Sequence, residues 1–325
     1  MLGEASIGGG QRRCLFLSRV VPAGLLAALA ALAAAGCGLG AGHAPSAVQL
    51  TVTRGFGAKV LLSWKAPHVR GQETVMSLLM RNATVGTRYG GGFVQSIDGT
   101  SGGQEKGQPV DWFYYVNGVE APKGAAATNV HRGDHIWWDR HDWSQTDDVP
   151  AVVGSFPEPF LHGVDGKRLP VRVECAVVAG HACRTVIARL RALGVPAAVA
   201  AMGSGGEPKT LRLVVAPWSE VKGDPSVQGI ERGPRASGVY ARFSADGRTL
   251  TLLDQDGRPA RALAAGAGLI AATRTAEDAP VWVVTGTDAA GVDRAAEAFR
   301  EAALHDRFAL AVTELGAVEV PRVSP

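Results

Sequence analysis

Several features that define specialised protein classes are scarce in this sequence. Only 4 of the 325 residues are cysteine, which is too few for a disulfide-dense scaffold. Charged residues make up 19% and hydrophobic residues 46%, so the chain is not a disordered polyelectrolyte and can form a buried core. The formal net charge is +3, without the clustered basic face of a nucleic-acid-binding protein. We therefore expect no nucleic-acid partner.

The common catalytic signatures are also missing. The sequence contains no Gly-x-Ser-x-Gly, no His-Glu-x-x-His and no phosphate loop of the form Gly-x-x-x-x-Gly-Lys. Residues 266–271 fit a dinucleotide fingerprint only loosely, since no clear strand precedes them, and we interpret them as an Ala/Gly-rich helix or loop. No metal-ligand spacing stands out either. We predict that the protein has no enzymatic activity and binds no metal or cofactor. The alternative is an enzyme of the cell envelope whose catalytic residues come together only in the folded structure.

The N-terminus is typical of an exported protein. Residues 1–36 combine arginines with an apolar run from Val20 to Ala35, which is shorter than the ~20 residues that cross a bilayer. The run ends at Gly36-Cys37, as in a bacterial lipobox, where Cys37 would be lipidated and become the first mature residue. Cleavage without lipidation, which gives a secreted protein, and retention as an anchor are the alternatives. We expect the chain on the extracytoplasmic face of the cell membrane, held by its lipid.

The rest of the chain is predicted to form two domains behind a flexible tether of residues 37–47. Residues 48–143 consist mainly of strand patterns with one short helix, and residues 152–320 show βαβ-like order. Prolines and acidic residues between 144 and 159 interrupt any regular element. The predicted fold class is α+β, with a second domain of the α/β type.

Two cysteines remain in the exported body, Cys175 in a strand pattern and Cys183 near the start of a helix pattern. Outside the cytoplasm, two such thiols favour a disulfide. The alternative is a pair of small buried hydrophobic side chains.

Two aromatic strands of the first domain carry the candidate binding residues. Side chains alternate between the faces of a strand, so Phe113 and Tyr115 share one side of their strand, and His135 and Trp137 share one side of theirs. A small sheet cannot bury so many large rings by itself, and exposed aromatic side chains with polar tips are typical of contact surfaces. The second domain, or the loop of residues 100–109, could instead cover this face. The candidate ligand contacts are Phe113, Tyr115, His135, Trp137 and Trp143.

The first domain resembles the transcobalamin C-terminal-like domain, a soluble-ligand-binding domain with a β-grasp-like fold. The resemblance rests on Thr74-Val75 at the start of a short helix and on three further motifs. These are Gly92-Phe93-Val94-x-Ser96-Ile97-Asp98-Gly99, Asp111-Trp112-Phe113-Tyr114-Tyr115-Val116-Asn117-Gly118 and Gly133-Asp134-x-Ile136-x-Trp138. It implies a β-grasp-like first domain and cobalamin as a candidate ligand.

The combined expectation is an extracytoplasmic, lipid-anchored protein that binds a small ligand and delivers it to a membrane transporter. The alternative is a structural or protein-interaction module of the cell envelope without a small-molecule ligand.

Overall fold

The part of the chain that can be described comes from a computed structural model. It covers residues 44–65, 67–204, 209–276 and 278–322. Within these ranges, no helix is both long and apolar enough to span a membrane.

The predicted signal peptide of residues 1–36, Cys37 and most of the tether of residues 37–47 lie outside the described residues. The described residues belong to one compact unit. Within it, we call residues 48–143 the N-terminal segment and residues 152–322 the C-terminal segment.

The N-terminal segment is dominated by strands. They are β1 (Gln49–Arg54), β2 (Lys59–Trp64), β3 (Val85–Arg88), β4 (Phe93–Ile97), β5 (Thr100–Ser101), β6 (Gly103–Glu105), β7 (Gln108–Val116), β8 (Val119–Glu120) and β9 (His135–Asp142). The larger sheet has the order β2-β1-β9-β7-β6, with β8 paired to β7, and β1 runs parallel to β9. Strands β3, β4 and β5 form a small separate sheet.

One helix, α1 (Val75–Asn82), covers one face of the larger sheet. It begins where the sequence predicts, because the Thr74 hydroxyl accepts a hydrogen bond from the Ser77 backbone N–H at 3.2 Å and forms a capping box. Its buried side chains pack against Leu50, Ile136 and Trp138 of the sheet. A mixed sheet crossed by one helix is the arrangement expected of a β-grasp-like domain.

The C-terminal segment contains both sheet and helices. Its helices are α2 (His181–Ala192), α3 (Trp218–Val221), α4 (Pro234–Ser237), α5 (Ala289–Ala298) and α6 (Glu301–Leu304). Its strands are β10 (Val171–Cys175), β11 (Ala197–Ala201), β12 (Leu211–Pro217), β13 (Ala241–Phe243), β14 (Leu250–Leu253), β15 (Pro259–Leu263), β16 (Gly268–Thr273), β17 (Val281–Gly286), β18 (Ala309–Thr313) and β19 (Gly316–Val320).

The main sheet of this segment has the order β11-β10-β12-β17-β16-β18-β19. Strands β11, β10, β12 and β17 are parallel, which requires crossover connections such as α2 between β10 and β11. A disulfide joins Cys175, at the end of β10, to Cys183 in the first turn of α2, with an S–S distance of 2.00 Å. The predicted α+β class is confirmed, with 38% of residues in strands and 18% in helices.

The interpretation of residues 266–271 as a helix or loop is wrong for most of that stretch. Residues Gly268–Thr273 form β16, a fully buried strand between β17 and β18. Alanine and glycine are poor strand formers, but glycine is needed at position 268 because α5 packs directly against the strand there. A Cβ atom added at Gly268 would lie 2.3 Å from the Gly291 carbonyl oxygen of that helix.

The other face of the N-terminal sheet is buried against the C-terminal segment. Tyr115 and Trp137 are 0% exposed and belong to the same core as Trp218, Tyr240 and Phe308. The Phe308 ring lies edge-on to the other two rings, 5.7 Å from Tyr115 and 5.4 Å from Trp137 between centroids. The two segments therefore share a hydrophobic core.

Candidate functional site

In the structure, other protein residues cover the aromatic face that the sequence predicts to be a ligand surface. Tyr115 and Trp137 are completely buried, and Phe113 is half-buried with its ring stacked 4.5 Å from that of His141. Burial of a large aromatic side chain removes ~150–250 Å² from water, which favours this contact between segments. In the described structure, these three side chains therefore contact other residues of the protein. This is the arrangement expected from the alternative in which the second domain covers the aromatic face.

A buried carboxylate holds this face in place. Asp139 is 0% exposed and accepts backbone hydrogen bonds from Phe56 at 3.0 Å and Gly57 at 2.9 Å. Its other partners are the Thr53 hydroxyl and Nδ1 of His141, the latter at 2.9 Å. A buried carboxylate needs partners of this kind because an unpaired charge in the interior is very costly. The cluster is structural and was not recognised from the sequence, since its members come from separate strands and a turn.

The remaining two candidate contacts lie apart from the shared core. His135 is buried, and its Nε2 atom lies 2.9 Å from the Thr51 hydroxyl. Burial lowers the pKa of His135 to about 4, so the ring is neutral at physiological pH. Trp143 is 36% exposed and donates a hydrogen bond to Asp111 at 3.0 Å. The five candidate residues therefore do not form one site.

His135 lines a small cavity of about 130 Å³, together with Ser155, Glu158 and His162. The Glu158 carboxylate lies 2.5 Å from Nδ1 of His162, and Ser155 is buried. Within the described ranges, no group of three His, Cys, Asp or Glu side chains lies close enough together to hold a metal ion. A cavity of this volume is below the ~300–1,000 Å³ of ordinary ligand sites.

A larger groove lies on the protein surface between the N-terminal and C-terminal segments. Its volume is about 440 Å³, within the range of small-molecule sites. One wall is the arm, which we define as residues 119–129 following the Asn117-Gly118 turn. The opposite wall comes from the C-terminal segment and consists of Val164, Asp165, Lys167, Leu169, Lys209, Arg274, Asp278, Ala279 and Pro280. None of these stretches was singled out from the sequence, because they become neighbours only when the segments pack together.

Side-chain hydrogen bonds fix the shape of the arm. The Tyr114 hydroxyl donates to the Lys123 carbonyl oxygen at 2.5 Å and lies 2.8 Å from the Thr128 hydroxyl. At the base of the arm, the Asn117 side-chain amide donates to the Gly163 carbonyl oxygen at 2.9 Å. The hydrogen bond between Asn117 and Gly163 joins the base of the arm to the C-terminal segment directly beside the groove. The two walls of the groove are therefore held at a defined separation.

The groove combines apolar walls with a polar rim. Val116, Val119, Leu169 and Pro280 are among its apolar lining residues. Glu120 also lines it, and its carboxylate accepts a hydrogen bond from the Val149 backbone N–H at 2.8 Å. Burial, reinforced by the neighbouring Asp148, raises the pKa of Glu120 to about 8. Its carboxyl group is therefore mostly protonated at neutral pH.

Comparison with known proteins finds one family match, over part of the N-terminal segment. No curated protein matches the chain. Residues 72–142 match a domain family that is described as a domain of unknown function (DUF4430). The match extends from the residues just before α1 to the end of β9, and it includes the arm. Over these residues, the chain is thus similar to the DUF4430 domain.

Proposed function

We propose that this chain is an extracytoplasmic, lipid-anchored protein that binds a small ligand in the groove between its two segments. The observation that carries the proposal is the groove itself, a cleft of about 440 Å³ to which both segments contribute. Ligand sites are concave, mostly apolar and frequently located where two structural units meet. The groove has these properties, whereas the aromatic face of the sheet is occupied by protein.

The location outside the cytoplasm has two independent supports. The N-terminal sequence has the form of a signal peptide with a lipobox ending at Cys37. The disulfide between Cys175 and Cys183 is typical of proteins in oxidising compartments. A lipid on Cys37 would hold the binding segments close to the membrane, where a transporter could receive the ligand.

The resemblance to the transcobalamin C-terminal-like domain supports a cobalamin-like ligand. DUF4430, which matches residues 72–142, is a family known from transcobalamin-like proteins. In the cobalamin carriers, the ligand is held between two domains, and here the C-terminal segment provides the second wall. A groove of about 440 Å³ would cover only part of such a large ligand. The uncovered part would remain available to a receiving transporter.

Filling the groove tests whether it is the binding site. Ala127 is exposed and lines the groove, whereas the adjacent Ala126 is exposed but does not line it. We expect Ala127→Trp to weaken binding of cobinamide, a cobalamin precursor, at least about tenfold because the indole would occupy ligand space. Calorimetric titration of the full-length chain provides the measurement. Ala126→Trp is the matched control and should bind like the wild type; equal affinities in all three proteins would place the ligand elsewhere.

A further inference from the structure

The two halves of the arm are held in place to different degrees. The second half is anchored at the start of α1, where the backbone N–H groups of Val75 and Met76 donate to the carbonyl oxygens of Thr128 and Ala125 at 2.9 and 3.0 Å. These are N–H groups that a helix cannot pair within itself. The first half contains residues 121–124, which we call the tip, and three of these four residues are exposed. The position of the tip therefore depends on a small number of hydrogen bonds.

A tyrosine hydroxyl connects the tip to the sheet. Tyr114 of β7 donates from this hydroxyl to the Lys123 carbonyl oxygen at 2.5 Å, and its oxygen lies 2.8 Å from the Thr128 hydroxyl. Among the described residues, the other hydrogen bonds that reach the tip come from within the arm, from the Ala127 N–H and the Thr128 hydroxyl to the Gly124 carbonyl oxygen. Burial raises the pKa of Tyr114 above its usual value, so the hydroxyl keeps the proton that it donates.

The tip forms part of the groove, whereas Tyr114 does not. Ala121, Pro122 and Lys123 of the tip line the groove, and Tyr114 is not among the lining residues. The Tyr114 ring is instead stacked on Trp138, with 4.9 Å between the ring centroids. The Tyr114 hydroxyl can therefore affect a ligand in the groove only through the tip.

We infer that Tyr114 is a positioning residue for the ligand, because its hydroxyl holds the tip in the conformation that completes the groove wall. A protein binds its ligand more weakly when the binding-competent conformation is only partly populated. Loss of one hydrogen bond shifts such a local equilibrium about two- to tenfold. This inference rests on the proposed function, since it concerns the same groove and the same ligand.

Tyr114→Phe tests the inference, because it removes the hydroxyl and keeps the stacked ring. We expect this substitution to weaken cobinamide binding about three- to fivefold, since ligand binding must then also order the tip. Calorimetric titration of the full-length chain measures the affinity. Tyr89→Phe is the matched control and should bind like the wild type, because Tyr89 is 85% exposed and does not line the groove.

Trypsin measures the order of the tip directly. Lys123 is exposed in the tip, and Lys106 is exposed in the turn between β6 and β7. Proteolysis of a segment that opens transiently follows the population of its open form. Cleavage after Lys123, measured by mass spectrometry, should become at least about threefold faster in Tyr114→Phe, while cleavage after Lys106 keeps its rate. Cobinamide should slow cleavage after Lys123 in the wild type.

Gly124→Ala in the Tyr114→Phe background is expected to rescue binding. A Cβ atom at Gly124 meets no heavy atom within 4 Å, the φ angle of Gly124 lies outside the left-handed region, and Gly124 does not line the groove. Alanine restricts the conformations of the open tip, so the affinity should return to within about twofold of the wild type. Damage to the packing around Tyr114 would not be reversed by this substitution.

The outcomes separate this inference from the proposed function. Equal affinities of the wild type and Tyr114→Phe would overturn the inference, whatever the rate of cleavage after Lys123. If cobinamide binding still responds to Ala127→Trp in that case, the groove remains the binding site. A double variant that binds no better than Tyr114→Phe would also contradict the inference. If the wild type does not bind cobinamide, both the proposed function and the inference are wrong.

Discussion

Trp137→Ala is expected to lower the free energy of unfolding by about 3–5 kcal/mol. Trp137 is 0% exposed, contacts the rings of Tyr115 and Phe308, and donates a hydrogen bond from Nε1 to the Thr53 hydroxyl at 2.8 Å. Removal of the indole leaves a large cavity between the segments and takes one partner from Thr53. Urea-induced unfolding followed by circular dichroism measures the change.

Trp143→Ala provides the control for this substitution. Trp143 is partly exposed and makes one hydrogen bond, to Asp111, so its loss should cost less than about 1 kcal/mol. If Trp137→Ala unfolds at the same urea concentration as the wild type, the two segments are not held together by this core. The interpretation of the aromatic face as a contact between segments would then fail.

Arg212→Ala should destabilise the C-terminal segment by a similar amount. The Arg212 guanidinium donates to both carboxylate oxygens of Glu174 at 2.9 Å and also contacts Asp224 at 2.5 Å. Glu174 is 0% exposed in β10, so without Arg212 its charge is buried and lacks its partner. Breaking a buried ion pair in this way costs about 3–5 kcal/mol. Urea unfolding at neutral pH measures the loss.

Two further variants show whether the effect comes from the buried charge. Replacing both partners, as Glu174→Met with Arg212→Met, should recover most of the stability because the fully buried charge of Glu174 is removed, while the partly exposed Asp224 keeps its hydrogen bonds from Ser226. Arg258→Ala removes an exposed ion pair with Asp256 and should change the stability by less than about 1 kcal/mol. If Arg212→Ala costs no more than Arg258→Ala, the ion pair does not stabilise β10 and β12.

The strand patterns of the sequence predict much of the N-terminal segment. Alternation puts Trp112 and Trp138 on the face opposite to Tyr115 and Trp137, and the structure buries the first pair beneath α1 and the second pair against the C-terminal segment. The Asn117-Gly118 pair marks the turn between β7 and β8, because both residues adopt the positive φ angles that this turn requires. These features depend on neighbours in sequence, and so they can be read from a single chain.

Features that depend on distant contacts could not be predicted in the same way. The strand Gly268–Thr273 has weak intrinsic strand preference and is stabilised by its buried position between two other strands. The covering of Tyr115 by Phe308 joins residues that are far apart in the sequence. The groove likewise combines the arm with three separate parts of the C-terminal segment. Each of these features depends on how the two segments pack against each other. The periodicity of hydrophobic residues along the sequence does not specify that packing.

Calorimetric titration of the wild-type full-length chain with cobinamide tests the central claim most directly. A site formed once per chain, between the arm and the C-terminal segment, predicts a saturable binding curve with one ligand bound per chain. The titration should give the same stoichiometry for the Ala126→Trp control. The claim is contradicted if the titration shows no saturable heat of binding even at cobinamide concentrations far above those at which vitamin-binding proteins bind their ligands. The chain would then be better described as a structural or protein-interaction module of the cell envelope.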